Sequence, residues 1–571
     1  MNIYGAMNTA KWALLANQTG IEVTGQNIAN VNNTDYTRQD VNMQAQFPVN
    51  QGNHFIGTGV TIAGVTRRFD QFLFNQRLEN NFNLNQWQAR SSLMDRMDVI
   101  MNEATGAGVN NQMSQFFQGF YNLAINPSGA TERRDVVEKG KGLALKVSYV
   151  ASELKRMRKD VDLKVTGAIP EVNRISREIA DLNKVIHETE TNGAVANDYR
   201  DRREGLIKQM SNLVDVSYFE QSNGEVSVMM KNGRPLAVGQ DTFTLSTTQN
   251  ASDPETSSVY WADSAGNRVN ITGEIAGGQM GAWMAMRDTD VTKALNDLDS
   301  LSGSIIKEVN RLHNGGFGID GSTGNNFFNG LTPGGRAAAL NKGTGTIGAG
   351  SILNPDNVNT DHFRLTFDGA GNYTVRNMDK GATEGTFAYS AGTPITFFQD
   401  RGFSISISGA PQAGDFFDIS AVHNSAFTMG MNTTAQNDLN KIAAGGTQQW
   451  GDGSVAEKIA TLQYAKAMGG AWTAAGPVSS ATFTSTSGIY TFNDFYGAVV
   501  GGVGASSKAA KDGQKMQEAV ANQLGNLREQ VSGVALDEEM VNLVKFQRAY
   551  QAAAKTITTV DEMVQTLLAI K

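Results

Sequence analysis

Apolar residues recur every seven positions at both ends of this chain. Near the C-terminus Leu543, Tyr550, Ile557 and Val564 form one series, and Phe546, Ala553, Val560 and Leu567 follow three positions after each. That double register is the spacing of a coiled-coil seam. It predicts a helix from Leu536 to Ile570, roughly 50 Å long at 1.5 Å per residue. Near the N-terminus Met7, Leu14, Ile21 and Ile28 form a second series, with Ile3 and Ala10 alongside. A seam of this kind needs a partner helix. The two ends are therefore expected to pair with each other, with copies of the chain, or both.

Between the ends the period changes twice. Val136, Leu143, Val150 and Met157, with Gly140, Val147, Leu154 and Val161, keep heptad step, and Val172, Ile175, Ile179, Leu182 and Ile186 resume it after Pro170. Leu93, Met97 and Ile100 predict an earlier helix, and Leu206, Met210 and Leu213 a later one. Antiparallel helical packing is the natural outcome. From about Val216 the alternation of Val226-Ser227-Val228 and Phe243-Thr244-Leu245 predicts strands. Helical spacing returns at Val291, Leu298, Ile305 and Leu312. From Gly315 to about Phe427, glycine turns separate short alternating runs such as Phe363-Arg364-Leu365-Thr366-Phe367 and Phe403-Ser404-Ile405-Ser406-Ile407. This predicts a β-rich insert of sandwich or barrel type, with helix again from about Ser454. The fold class is therefore multidomain α+β: terminal coiled-coil helices, a discontinuous helical rod domain and an inserted β-rich domain. The expected boundaries are 1–65 plus 531–571 for the terminal domain and 66–318 plus 426–530 for the rod. The rod carries a small β excursion at about 216–280, and the outer insert covers 319–425.

Length and composition narrow the function. A chain of 571 residues exceeds one hydrophobic core. Its 48 basic and 56 acidic residues give a net charge of -8 without a basic stripe, so no nucleic acid partner is expected. The apolar segments are interrupted by charge before the ~20 residues of a membrane span. There is no cysteine, which excludes disulfides and thiolate chemistry. The ten prolines all lie between Pro48 and Pro477, leaving both ends free to be long helices. The first fifteen residues lack the regions of a cleaved secretion signal, and composition by itself points to the cytoplasm.

Catalytic chemistry is not expected. His54, His187, His313, His362 and His423 fall in no H-E-x-x-H or H-x-H arrangement, so neither a metal nor a cofactor is predicted. Two G-x-G-x-x-G matches, Gly316-Gly318-Gly321 and Gly343-Gly345-Gly348, lack the strand-then-helix context of a dinucleotide site and are turn glycines. Asp201-Arg202-Arg203-Glu204 is expected to form intrahelical ion pairs rather than a phosphate clamp. The run Asn27-Ile28-Ala29-Asn30-Val31-Asn32-Asn33 is a helix stop, since asparagine tolerates αL geometry and bonds its own backbone.

The two ends also carry a resemblance. Gly20-Ile21-Glu22-Val23-Thr24-Gly25-Gln26-Asn27-Ile28-Ala29-Asn30, then Tyr36-Thr37-Arg38-Gln39, resembles the N-terminal signature of the flagellar rod, hook and hook-associated proteins. Ser532-Gly533-Val534-Ala535-Leu536-Asp537-Glu538-Glu539, then Phe546-Gln547-Arg548-Ala549-Tyr550-Gln551-Ala552-Ala553-Ala554-Lys555, is similar to the C-terminal one. The family's Asn-Thr-Pro-Gly-Tyr is here Asn33-Thr34-Asp35-Tyr36, so the turn containing Asn27, Asn30 and Tyr36 is altered. Further motifs resemble the members that join hook to filament: residues 197–206, 277–282, 308–310 and 320–328.

The resemblance implies a structural subunit without enzymatic activity, exported unfolded through the flagellar type III channel by an uncleaved N-terminal segment. It implies a helical homo-oligomer at the hook tip, outside the cell, with hook protein below and a second junction protein or flagellin above. An export chaperone is implied on the C-terminal helix, and ends without a partner are expected to be disordered in the monomer. The alternatives are another axial component, a hook or distal rod protein, or a glycan-binding or enzymatic insert.

Overall fold

A computed structural model describes residues 3–51, 54–101, 108–191, 194–250, 253, 255–338, 341–468 and 488–569. Helix α1 (Ile3–Ala29) leads into a ribbon of β1 (Gln39–Ala45) and β4 (Val60–Arg67), antiparallel, with an irregularity between Asn42 and Met43. The ribbon continues as β2 (Val49–Gln51) paired with β3 (His54–Ile56). These strands lie in the stretch 1–65, expected to belong to a terminal helical domain. The apolar period stops at Ile28, and a self-paired two-stranded ribbon leaves too weak an alternation to be read.

Helices α2 (Gln71–Met101), α3 (Val109–Ile125), α4 (Ala130–Thr191) and α5 (Asn197–Leu213) follow. The 62 residues of α4 make it about 90 Å long. Pro170 sits inside it without ending it. A mid-helix proline costs ~3 kcal/mol or more, but Val165, Ile169, Val172 and Ile175 on either side are all buried. Each such side chain contributes about 1.5–3 kcal/mol, so packing outweighs the break. Every member of the two heptad series between Val136 and Val161 is buried. Gly140 belongs there because a Cβ would lie 2.9 Å from the Phe327 ring.

Two cores share α4. The first half packs with α3 and with α7 (Val291–Asn314), around Phe116, Phe120, Phe327 and Phe328. The second half packs with α5, α6 (Gly278–Ala285) and two small antiparallel sheets between Val216 and Asn270. Helix α7 begins after a π-helical turn at Met286–Asp290. A third core belongs to the β insert. Its five-stranded antiparallel sheet has the order Gly334–Ala337, Phe416–Ser420, His362–Phe367, Asn372–Asn377, Thr383–Ala388. Phe363, Leu365 and Phe367 point inward, as their alternation requires.

After a short helix at Ser454–Thr461, α8 (Phe492–Ser532) returns along α2, with Asn80 donating to Gln517 Oε1 at 2.7 Å. Helix α9 (Leu536–Ala569) then runs back along α1. Ile570, the expected end of that helix, lies outside the described residues.

Candidate assembly surface and the clasp behind it

Helices α1 and α9 pack on each other within one chain. The ends therefore pair with each other, one of the arrangements the two seams left open. On α9 the seam is the predicted one: Ala553 and Val560 are buried, and Leu543, Phe546, Tyr550, Ile557 and Val564 are half-buried. Leu567 is 57% exposed and lies off the seam. On α1 the contact line is displaced from the predicted series. Ala10, Ala16, Gly20, Val23, Thr24 and Asn27 are buried, whereas Leu14, Ile21 and Ile28 are half-buried and Met7 is exposed. The reason is close approach: the Phe546 ring sits over Gly20, where a Cβ would be 2.9 Å from ring carbons. Small residues take the contact line, and the larger ones flank it.

The outer faces of the pair are also apolar. Tyr4, Met7, Trp12 and Leu15 are exposed on α1, and Met540, Val541, Val544, Met563 and Leu568 on α9. A two-helix pair buries one stripe on each helix and leaves the other stripes in water.

A buried polar clasp holds the pair to the body. Asn27, 1% exposed, donates to Gln39 O at 2.9 Å and to Glu539 Oε2 at 3.0 Å. Its oxygen accepts from Tyr36 OH at 2.8 Å and from Gln39 N at 3.1 Å. Arg38, also buried, pairs with Glu538 at 2.7 Å and Glu539 at 2.6 Å, joining positions 500 residues apart. Burial opposes the Arg38 charge, but these carboxylates and Asp40 raise its pKa overall. Burial, with Asp198, Asp201 and Glu539 nearby, raises the Tyr36 pKa, so its hydroxyl remains a donor. Arg528 of α8 donates to the Tyr36 carbonyl, and Ser532 Oγ to that of Arg68 at 2.5 Å. Glu538 and Glu539 lie in the first turn of α9, where the helix dipole favours acid.

A second knot ties the ribbon to α5. Arg67 pairs with Asp201 at 2.5 Å and Glu204 at 2.9 Å, and Thr37 N donates to Asp201 at 3.0 Å. Burial raises both carboxyl pKa values, and Arg67 works against it. Arg203 reaches Asn183 and the Gly224 carbonyl. Asp201, Arg203 and Glu204 therefore bond between elements, not along their own helix as the alternating signs led one to expect. Partners from distant segments carry no local signal.

Of the motif turn, Asn27 and Tyr36 face each other in the clasp. Asn30 bonds back to Gln26 O at 3.0 Å and stops α1. None of these residues has positive φ, so side-chain bonding rather than αL geometry ends the helix. At the altered turn Asp35 N donates to Asn33 Oδ1, and its carboxylate pairs with Lys208 at 3.1 Å.

Sequence reading did not assign roles to Arg38, Arg67, Arg528, Glu538 or Glu539. The only local signal was the position of Arg38 and the two glutamates inside the terminal signatures. Among the described residues no three His, Asp or Glu side chains converge as metal ligands, and no helix is long and apolar enough to cross a membrane. His313 is a structural group: Ala443 N donates to its Nε2 at 2.9 Å, and Nδ1 lies 2.7 Å from Asn325 O. Burial pulls its pKa down to about 4.

Residues 94–328 match the family described as flagellar hook-associated protein FlgK helical domain, and residues 528–570 match flagellar basal body rod FlgEFG protein C-terminal. The chain is 26% identical to flagellar hook-associated protein 1 of Escherichia coli K12, covering 99% of each chain. It is 26% identical to the protein of that name from Bacillus subtilis, covering 98% of this chain and 97% of the other. The structure of the flagellar hook junction protein FlgK from Burkholderia pseudomallei superposes with a TM-score of 0.68 at 19% identity, over 80% of this chain and all of that one. That likeness shows a shared fold.

Proposed function

We propose that this chain, similar over nearly its whole length to flagellar hook-associated protein 1 of two bacteria, is a member of that family and polymerises at the hook tip to build the hook–filament junction. It acts as a structural subunit and not as an enzyme. What carries this reading is the terminal helix pair, apolar outside as well as inside, and fixed to the body by a buried clasp. Apolar area left in water is the driving force for association with neighbours. The pair α1 and α9 lies in the inner tube, with the rod domain and the 319–425 insert outside it. Met7 on α1 and Leu567 on α9, with the other exposed apolar residues of the pair, supply the outward assembly surface, while Leu543, Phe546, Tyr550, Ala553, Ile557, Val560 and Val564 on α9 and Leu14, Ile21 and Ile28 on α1 form or flank the seam that holds the pair behind it. Hook protein lies below, and a second junction protein or flagellin above. Before assembly the chain is exported without cleavage, and an export chaperone covers α9.

A strain lacking this chain should build hooks yet release flagellin into the medium, and the wild-type chain should restore attached filaments. Normal attached filaments in the deletion strain would overturn the proposal. Turnover of peptidoglycan by the purified protein at enzymatic rates would overturn its non-enzymatic part.

A further inference from the structure

The rod and the β insert keep separate apolar cores, with Leu331 packed against both. The chain leaves the rod after Phe328 and returns at Val422, and α7 holds both crossings. Asn310 donates to the Phe328 carbonyl at 3.0 Å, and a Cβ at Gly303 would collide with Val422. The Asp299 carboxylate accepts from Asn424 N at 2.9 Å and Ala426 N at 2.8 Å. Asn424 has φ 58°, the one positive φ outside glycine among the described residues. Left-handed backbone of this kind recurs where segments switch or turn.

The remaining contacts across this junction are polar and charged. His362, 8% exposed, opens the central strand of the insert. Its Nδ1 lies 3.3 Å from Asp379 of the insert and 3.5 Å from Ser300 Oγ of α7. Asp297 and Asp299 of α7 also act on it. Lys293 pairs with Asp297 at 2.6 Å, and Lys155 of α4 faces Asp299 while donating to Asn424 at 2.9 Å. Lys380 faces Asp379 and pairs with Asp361 at 2.7 Å. The charges of Asp297, Asp299, Asp361 and Asp379 are therefore matched by Lys155, Lys293 and Lys380 only when His362 carries a proton.

Burial opposes that proton, but the carboxylates raise the His362 pKa overall. Its neighbour His423 goes the other way. Burial and Arg336, itself 3.4 Å from Asp253, pull His423 down to about 4, so it is neutral where His362 is charged. Stability supplied by a raised histidine is present below pH 6.5 and lost as pH rises through the folded value. Burial pushes Asp299 up to about 6, so it has already ionised at neutral pH. Above neutrality the change belongs to His362. Asp379 keeps 39% of its side chain in water, which gives the proton a way out.

We infer that protonated His362 latches the β insert onto α7, and that loss of the proton as pH rises lets the insert turn about its two crossings. The latch is independent of polymerisation at the hook tip, and the purified full chain tests it. Carbon-13 histidine NMR follows the five histidines, and the His362 signal is the one missing from His362→Gln. It should titrate above the ordinary 6.5. The chain has no cysteine, so spin labels go only to Leu145→Cys on α4, 72% exposed, and Ala388→Cys, exposed on the insert's edge strand. Double electron–electron resonance should give one distance at pH 6.5 and a second population growing toward pH 9. The ratio of second to first should rise tenfold for each unit by which His362 titrates above 6.5. His362→Lys, charged throughout this range, should keep the first distance, and His362→Gln should show the second at both pH values. A His362 midpoint at or below 6.5 would overturn the latch, and so would an unchanged distance in the labelled chain. A pH response that persists in His362→Lys would overturn it too. If His362→Gln fails to fold, the distances in the chain with native His362 still decide.

Discussion

Asn27→Ala tests the clasp most directly. The asparagine amide makes four hydrogen bonds, two donated and two accepted, in a site where it is 1% exposed. Alanine leaves the Gln39 N–H and C=O, the Tyr36 hydroxyl and the Glu539 carboxylate without those partners. Neutral bonds contribute about 1 kcal/mol each and a bond to a charged group about 1.5–3, so the loss is roughly 4 kcal/mol once some water enters. That is close to a thousandfold in the local opening equilibrium of the helix pair. Native-state hydrogen exchange followed by mass spectrometry should show it. Peptides from residues 5–29 and 536–560 should lose about three orders of magnitude of protection, while those from 136–161 of α4 keep theirs. Asn27→Asp retains an acceptor but sets a carboxylate against Glu539, so its defect should be worst at neutral pH and ease in acid. A change below tenfold would refute the reasoning. So would an unprotected helix pair in the wild-type monomer, or equal loss across the α4 core.

Gly20→Ala should weaken the α1–α9 contact by about 1–3 kcal/mol, because its Cβ meets the Phe546 ring at 2.9 Å. Phe546→Ala in the same chain should relieve part of that cost, and exchange of residues 5–29 reads both. For His313 the folded pKa of about 4 lies below the ordinary 6.5. The unfolded chain therefore binds the extra proton first, and stability should fall as pH drops from about 6.5 to 4, by up to about 3 kcal/mol. Urea midpoints at pH 7 and 4.5 measure this, and His313→Gln should start less stable and show a shallower acid loss. Arg67→Met strands Asp201 and Glu204 in a buried site and should cost about 3–5 kcal/mol at neutral pH. Because burial already raises both carboxyl pKa values, protonation should restore part of that as the pH is lowered from neutral, read in thermal melts.

The sequence by itself determined the long-period features. The heptads of α4, the alternation of Phe363, Leu365 and Phe367, and the inward stripe of α9 are all visible locally. Each follows from a helix or strand presenting one face to a core. The same logic placed Asn27 and Tyr36 only through their likeness to a family signature, because nothing local says that one asparagine will answer four groups. Tertiary structure decided the rest. The contact line of α1 moved to Ala16, Gly20 and Val23 because helix separation, not hydrophobicity, chooses which side chains fit under Phe546. Arg38 met Glu538 and Glu539 across 500 positions, and Asp201 turned to Arg67 instead of its helical neighbours. Pro170 failed to break α4 because the buried positions beside it outweighed the missing bond. Periodicity records which face of an element leaves water. Which element covers that face, and which buried charges then need one another, depends on contacts that only the folded chain brings together.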